Sequence, residues 1–259
     1  HYLGPPEGRE APPFVEALVG LSKLAATGTA ALDEPAPWAQ QLKGVSLPAH
    51  LLLFVAPSCP HCPQAVSIAN RIALACPHVT STIVDVQRFE ELAGRYNVQS
   101  VPRIVIDEGL SLTKVVPIGE LVDHLLARGT VGHAARTFDS LIETGRLEAA
   151  AAELQDSGGP LLFAHAWQRS TTSSRMGLLL VVEELLEDDP AVLDGAVVAL
   201  LPSLQADDAA LQGDTADLLG QIGHASATEP IEALLDHPNP DVAEIAQDAL
   251  EQIHERNAS

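Results

Sequence analysis

The stretch Leu51-Leu52-Leu53-Phe54-Val55-Ala56-Pro57-Ser58-Cys59-Pro60-His61-Cys62 decides the fold. His50 to Ala56 is a short apolar run bounded by Pro48 and Pro57, so it reads as a buried central strand. From Pro60 to Cys76 the apolar residues Ala65, Ile68, Ala69, Ile72 and Ala73 recur three and four apart. That spacing predicts an amphipathic helix with Pro60 in its first turn. The cysteine pair therefore lies between a strand end and a helix start, where unpaired N–H groups and the positive end of the backbone dipole stabilise a thiolate. Such a position lowers a cysteine pKa from about 8.5 into a range of roughly 3.5 to 7.5. Cys59 is the expected nucleophile. Cys62, one helical turn on, suits the resolution of a mixed disulfide, and the two together make thiol–disulfide exchange, which needs no cofactor.

Two blander readings compete. Cys59, Cys62, Cys76 and His78 have the number and kind of ligands that a zinc site needs, and a CxxC can also be chemically inert. Pro60 and Pro63 open a helix, which a metal knuckle does not call for, so no metal is expected. Cys76, beside Pro77 at the helix end, reads as a packed or capping thiol. His50, His78 and His124 have no motif around them and read as surface or satisfied histidines.

Downstream, Val79 to Val86 reads as a strand, Phe89 to Tyr96 as a short helix and Arg103 to Ile106 as a strand entered through Pro102. Leu112 to Pro117 reads as its hairpin partner and Gly119 to Ala127 as a closing helix. In this order, residues 50 to 128 resemble the thioredoxin superfamily, most of all the glutaredoxin-like second unit of the two-unit protein disulfide oxidoreductases. The resemblance is carried by Phe54 to Pro63, by Val84-Asp85-Val86 and by Tyr96-Asn97-Val98-Gln99-Ser100-Val101-Pro102-Arg103-Ile104-Val105-Ile106. It implies a cis Pro102 beside the cysteine pair, with the backbone at Val101 binding a substrate peptide as an added strand. One departure stands out: many thioredoxins carry a buried aspartate six residues before the first cysteine, and here that residue is Leu53. Proton transfer then needs another group, water or His61. A charged His61 imidazole beside the thiolate would stabilise the reduced form and favour oxidising power.

The segment 1–41 has two readings. His1 to Glu10 with the helical run Pro13 to Ala26 is either the last strand and helix of a preceding thioredoxin-like unit or a strand and helix added to the edge of the redox domain. Asp33 to Leu47, with Pro35, Pro37 and Gly44, reads as linker and short helix. The redox domain is assigned to 42–129. No secretory signal or membrane span is visible, and three cysteines, two in one CxxC, favour a cytoplasmic setting, with the N-terminus open to extension.

Beyond residue 129 the composition shifts. Residues 1–129 hold twelve acidic and nine basic side chains; residues 130–259 hold twenty-three and five, so nearly all of the net charge of −21 lies in the second half. From Met176 to Glu255 there is no lysine or arginine, which argues against nucleic acid or an anionic membrane as partner. The acids read as a solvated helical surface or as a face for basic partners. A shift of thirty-one residues aligns Leu200 with Ile231, Leu204 with Leu235, Leu211 with Val242, Leu219 with Leu250 and Ile222 with Ile253. Leu218-Leu219-Gly220-Gln221-Ile222-Gly223 and Ile231 to Val242 resemble HEAT-like repeats, which implies an α-solenoid over 175–259. Residues 130–174, with a turn at Thr144-Gly145-Arg146 and a break at 157–160, read as a helical adaptor.

The expected architecture is an α/β thioredoxin-like domain followed by an all-α HEAT-like solenoid. The expected function is thiol–disulfide exchange with protein substrates and a thiol/disulfide electron-transfer partner through Cys59 and Cys62, with Pro60 and His61 between them, Val101 and Pro102 holding substrate, and the repeats selecting a protein partner. The alternative is a HEAT-type scaffold whose CxxC is a redox switch or metal clip.

Overall fold

A computed structural model describes residues 1–28, 37–157 and 159–258. Asp33 and Pro35 of the expected linker, and Gly158 of the expected break, lie outside them. The chain forms two compact units, His1–Ser140 and Leu141–Ser259.

The first unit is built on a five-stranded mixed sheet of order β1-β3-β2-β4-β5. Its strands are β1 (Tyr2–Leu3), β2 (Ala49–Val55), β3 (Val79–Asp85), β4 (Arg103–Ile106) and β5 (Leu110–Thr113). β2 pairs parallel with β3, Leu53 opposite Ile83, and antiparallel with β4, Leu53 opposite Ile104. Its apolar run is continuous because both faces are covered. Leu51, Leu53 and Val55 join a core with Ala65, Ile68, Ala69 and Ile72 of α3 (Cys62–Ala75) and Leu121, Val122 and Leu125 of α5 (Ile118–Leu126). Leu52 and Phe54 face the other way, onto Ala93 of α4 (Glu90–Arg95), Tyr96 and Val105.

Two expectations are corrected. Helix α3 begins at Cys62, so Pro63 and not Pro60 occupies its first turn. The hairpin partner is Leu110–Thr113 rather than Leu112 to Pro117: Asp107 and Glu108 both adopt positive φ, at 47° and 63°, and close a tight loop that pairs Ile106 with Leu110. Lys114, with φ 125°, ends the strand, and Val116 is buried without pairing. At the N-terminus, β1 pairs with β3 in this same sheet, Tyr2 opposite Ile83, and α1 (Ala11–Thr27) packs on α3. The buried Asn70 amide binds the Tyr2 hydroxyl at 2.7 Å and the Pro13 carbonyl, and a Cβ on Gly20 would meet Leu74 at 2.7 Å. β1 is thus an edge strand of the first unit's sheet.

A short helix α2 (Pro37–Gln41) buries Trp38, over whose ring the Arg71 guanidinium sits at 5.3 Å. At the opposite end of the sheet from the cysteines, the Asp107 carboxylate pairs with Arg128 and accepts from the His50 backbone. Arg128 also donates to the carbonyls of Leu47 and Pro48. Helix α6 (Val131–Glu143) approaches this hairpin, and the Ser140 hydroxyl accepts the outward N–H of Ser111 on edge strand β5 at 2.8 Å.

The second unit is all helix: α7 (Leu147–Ser157), α8 (Gly159–Arg169), α9 (Thr172–Asp188), α10 (Val197–Leu200), α11 (Ala209–Ile222), α12 (Thr228–Glu232) and α13 (Pro240–Asn257). The thirty-one-residue shift recurs in the backbone. Short 3-10 turns occupy Asp194–Ala196 and Ala225–Ala227, and the following long helices are capped by Asp208 and Asn239, whose side chains accept from Ala210 and Asp241. Leu200 and Ile231 are both fully buried, as are Ile222 and Ile253. The pair Leu204 and Leu235 breaks the pattern, the first buried and the second 43% exposed. The packing contact is made by α11 on α13, where a Cβ on Gly220 would lie 2.8 Å from the Ala249 backbone. Trp167, fully buried, donates to the Thr215 hydroxyl at 2.9 Å, and buried Arg175 pairs with Asp214 at 2.6 Å.

Candidate active site

The loop from β2 to α3 carries the cysteines. Cys59 and Cys62 are joined in a disulfide, with Cα atoms 5.5 Å apart. The Cys59 N–H is held by the Ala56 carbonyl at 3.0 Å, and the N–H of Cys62, the first residue of the helix, donates to the Cys59 sulfur at 3.1 Å. That N–H has no partner within the helix, so the sulfur satisfies it. Pro60 and His61 are exposed above the bond, Cys59 is 7% exposed and Cys62 is fully buried. The sulfur that can meet another molecule is therefore that of Cys59.

Opposite lies the entry to β4. The Val101–Pro102 peptide bond is cis, and the Val101 carbonyl oxygen stands 3.8 Å from the Cys59 sulfur. Arg103, buried two residues on, donates to the carbonyls of Tyr96 and Asn97 and fixes the preceding loop; burial holds its pKa below the usual arginine value. The six residues expected at the site are thus gathered at one end of the sheet.

Cys76 is not among them. It is buried at the far end of α3, its sulfur against the Leu42 carbonyl, while His78 is exposed. Among the described residues no group of three or more His, Cys, Asp or Glu side chains could hold a metal ion. His50 is satisfied by the Thr82 hydroxyl at 2.8 Å.

Sequence reasoning missed Glu10. Leu53 is fully buried in the core that holds both cysteines, and the unusual acid comes instead from the turn before α1. Glu10 is 4% exposed and its Oε1 has no hydrogen-bond partner. Burial first, and the nearby Asp85 carboxylate second, push its pKa up. Asp85 ends β3 directly opposite Val55, the last residue of β2 before the cysteine loop, so Glu10 lies at the active-site end of the sheet. Asp85 itself is held by the Gln87 N–H and by Arg88. An acid in the first turn of a helix reads from sequence as a dipole partner; only its burial marks it out.

A mixed sheet with this strand order and a disulfide between its central strand and the following helix is a thioredoxin-like domain. Residues 50–127 match the thioredoxin-domain family model. Among solved structures, the chain is similar to the N-terminal domain of alkylhydroperoxide reductase AhpF from Enterococcus faecalis. They share 27% identity over 48% of this chain and 56% of that one, with a TM-score of 0.40. It is likewise similar to a protein disulfide oxidoreductase from Aeropyrum pernix, at 27% identity over 49% of this chain and 54% of that one, TM-score 0.41. The chain spans little more than half the length of these solved chains. No curated protein matches it. Among the described residues no helix is long and apolar enough to cross a membrane.

Proposed function

We propose that this protein is a thiol–disulfide oxidoreductase acting on protein disulfides. The observation that carries the reading is the hydrogen bond from the Cys62 N–H to the Cys59 sulfur at the start of α3, beside the Val101 carbonyl. In the reducing direction the Cys59 thiolate attacks a substrate disulfide, forming a mixed disulfide and releasing one substrate thiolate. The Cys62 thiolate then attacks the Cys59 sulfur and releases the second, so the substrate gains two electrons and the protein ends as the Cys59–Cys62 disulfide. A partner dithiol returns the electrons; the oxidising direction is the reverse of these steps. Val101 and Pro102 align the substrate chain across the sulfur, and exposed Pro60 and His61 border it. Cys62 must lose its proton in a buried position. Glu10, a buried carboxyl with a raised pKa and an unpartnered oxygen at this end of the sheet, is the acid we assign to accept that proton.

The helical unit acts in this reading as a partner-selecting module of HEAT-like repeats, supported by the thirty-one-residue recurrence of turns and caps. The test is insulin-disulfide reduction with dithiothreitol. The protein accelerates it and Cys59→Ser does not; a protein with no effect above dithiothreitol alone is not such an enzyme.

A further inference from the structure

Helix α9 divides sharply between an inner and an outer face. Leu178, Val181, Val182 and Leu185 are buried, and the helix packs against α7 and α11. The outer face carries Met176, 66% exposed, and Leu180, 53% exposed, one turn apart. The next turns on that face carry Glu183, Glu184 and Glu187, all exposed, and Asp188 and Asp189 follow at the helix end.

This arrangement runs against the helix's own electrostatics. A helix C-terminus is the negative end of the backbone dipole and favours Lys, Arg or charged His. Here the last turn holds no basic residue and five carboxylates crowd the last seven positions from Glu183 to Asp189. The stretch from Met176 to Glu255 has no lysine or arginine, and Arg256, which donates to the Pro190 carbonyl at 2.8 Å, is a single basic side chain beside five carboxylates. The N-terminus, by contrast, is well made, with a capping box between Thr171 and Ser174. The helix is therefore firmly started, presents two large apolar side chains to water and ends in a cluster of five carboxylates with Arg256 at its far end.

We infer that the outer face of α9 is a docking surface for a basic amphipathic helical segment of a partner protein. The segment places two apolar side chains over Met176 and Leu180 and Lys or Arg side chains, two to three turns along, over Glu183, Glu184 and Glu187. From Met176 to Glu187 the contact spans about 16 Å at the α-helical rise. Nucleic acid and anionic lipid have the wrong sign. The twenty-three acidic against five basic side chains of residues 130–259 steer the same class of partner. In the proposed reaction, which this assignment rests on for its purpose, the surface recruits disulfide-bearing chains that carry such a segment.

The test is fluorescence anisotropy on the full chain with a labelled sixteen-residue Leu/Lys helical peptide lacking cysteine, and its Leu/Gln counterpart. The Lys peptide binds and weakens as sodium chloride rises; the Gln peptide binds at least about tenfold more weakly. The double variant Met176→Ser, Leu180→Ser loses at least about tenfold in affinity. The triple variant Glu183→Gln, Glu184→Gln, Glu187→Gln loses a similar factor, whereas Glu232→Gln, Glu244→Gln, Glu251→Gln, which removes the same charge elsewhere, stays within about twofold. No binding, equal binding of the two peptides, or equal loss in the two triple variants overturns the assignment. Exchange with glutathione disulfide, too small to dock, is measured in parallel. Its absence in every form sinks the oxidoreductase reading and leaves the docking result standing.

Discussion

The N–H of Cys62 donates to the sulfur of Cys59 across 3.1 Å, so the first free donor of α3 is aimed at the one active-site sulfur that reaches the surface. In the dithiol form the same donor, backed by the helix dipole, favours the charged state of Cys59 over the neutral one. Alkylation of the reduced protein by iodoacetamide should therefore show a midpoint at least one pH unit below the free-thiol value of about 8.5. A rate that titrates at the free-thiol value contradicts the role given to this hydrogen bond.

In the proposed exchange, the unequal burial of the two cysteines sets the order of events. Cys62→Ser leaves the attacking sulfur in place and removes the one that releases substrate. It should accumulate mixed disulfides with substrate proteins, visible as reducible adducts on gels. Cys59→Ser should give none, because Cys62 is fully buried. Adducts in equal amounts from both variants would reverse or erase the assignment.

Glu10 gives a pH signature in stability as well as in rate. Its folded pKa lies above the unfolded value, so it favours the fold at pH below its unfolded pKa and loses that contribution as pH rises through the folded one. Glu10→Gln removes the titration. The melting temperature of the variant should therefore gain on that of the wild type as pH rises from about 4.5. At the same time resolution of the mixed disulfide should slow by about 10²-fold, the scale of a lost general base. A variant whose melting difference is flat with pH, or whose exchange rate is unchanged, denies Glu10 the role.

Much of the redox domain was legible before folding because β2 and α3 announce themselves. Six apolar residues between prolines admit little but a doubly covered strand, and Ala65, Ile68 and Ile72 fix the buried helix face. The sequence pattern sets the hairpin strand too late because Val115 and Val116 continue an apolar run past Lys114, where the backbone has already left the sheet. β1 is two residues long, too short for any period to show; it is held by pairing with β3 and by the Tyr2 hydroxyl on Asn70. Glu10 was invisible for a related reason: burial is a tertiary property, and nothing local distinguishes a buried first-turn acid from a solvated one. In the second unit the thirty-one-residue spacing recurs in the caps at Asp208 and Asn239, yet Leu235, matched in sequence to buried Leu204, is exposed.

Two histidines near the α6 end of the first unit predict the opposite pH response to Glu10. His133 is held below the ordinary histidine value by burial first, then by Arg136 and Arg128, with Asp107 opposing; His124 is lowered by burial and then Arg136. Both are favoured neutral in the fold, so their contribution is present above the unfolded pKa and lost as pH falls through about 6.5 and below. The Nδ1 of His133 is buried without a partner, which leaves an added proton unsatisfied. Denaturant midpoints at pH 7.5 and 5.5 should differ in the wild type and differ less in His133→Asn. An unchanged difference would show that this histidine does not titrate on unfolding.

The last prediction concerns Gly220. Gly223 is the turn residue, in the left-handed region at φ 74°; Gly220 lies inside α11, where α13 comes so close that a Cβ would stand 2.8 Å from the Ala249 Cα and 2.9 Å from its Cβ. Its counterpart thirty-one residues on, Glu251, is exposed, so the requirement belongs to this contact and not to the repeat. Gly220→Val must push the two helices apart and should cost about 1–3 kcal/mol or more by overpacking. Gly220→Ala should cost less, and Ala249→Gly in the same chain should restore part of it because the opposing methyl is gone. Thermal unfolding and hydrophobic-dye binding read the loss in the helical unit, while exchange through Cys59 reads the redox unit. Because the sheet and its two core clusters lie wholly within residues 1–140, Gly220→Val should melt the helices early and leave exchange near the wild-type rate. Loss of exchange in step with the helices would mean that the two units fold as one.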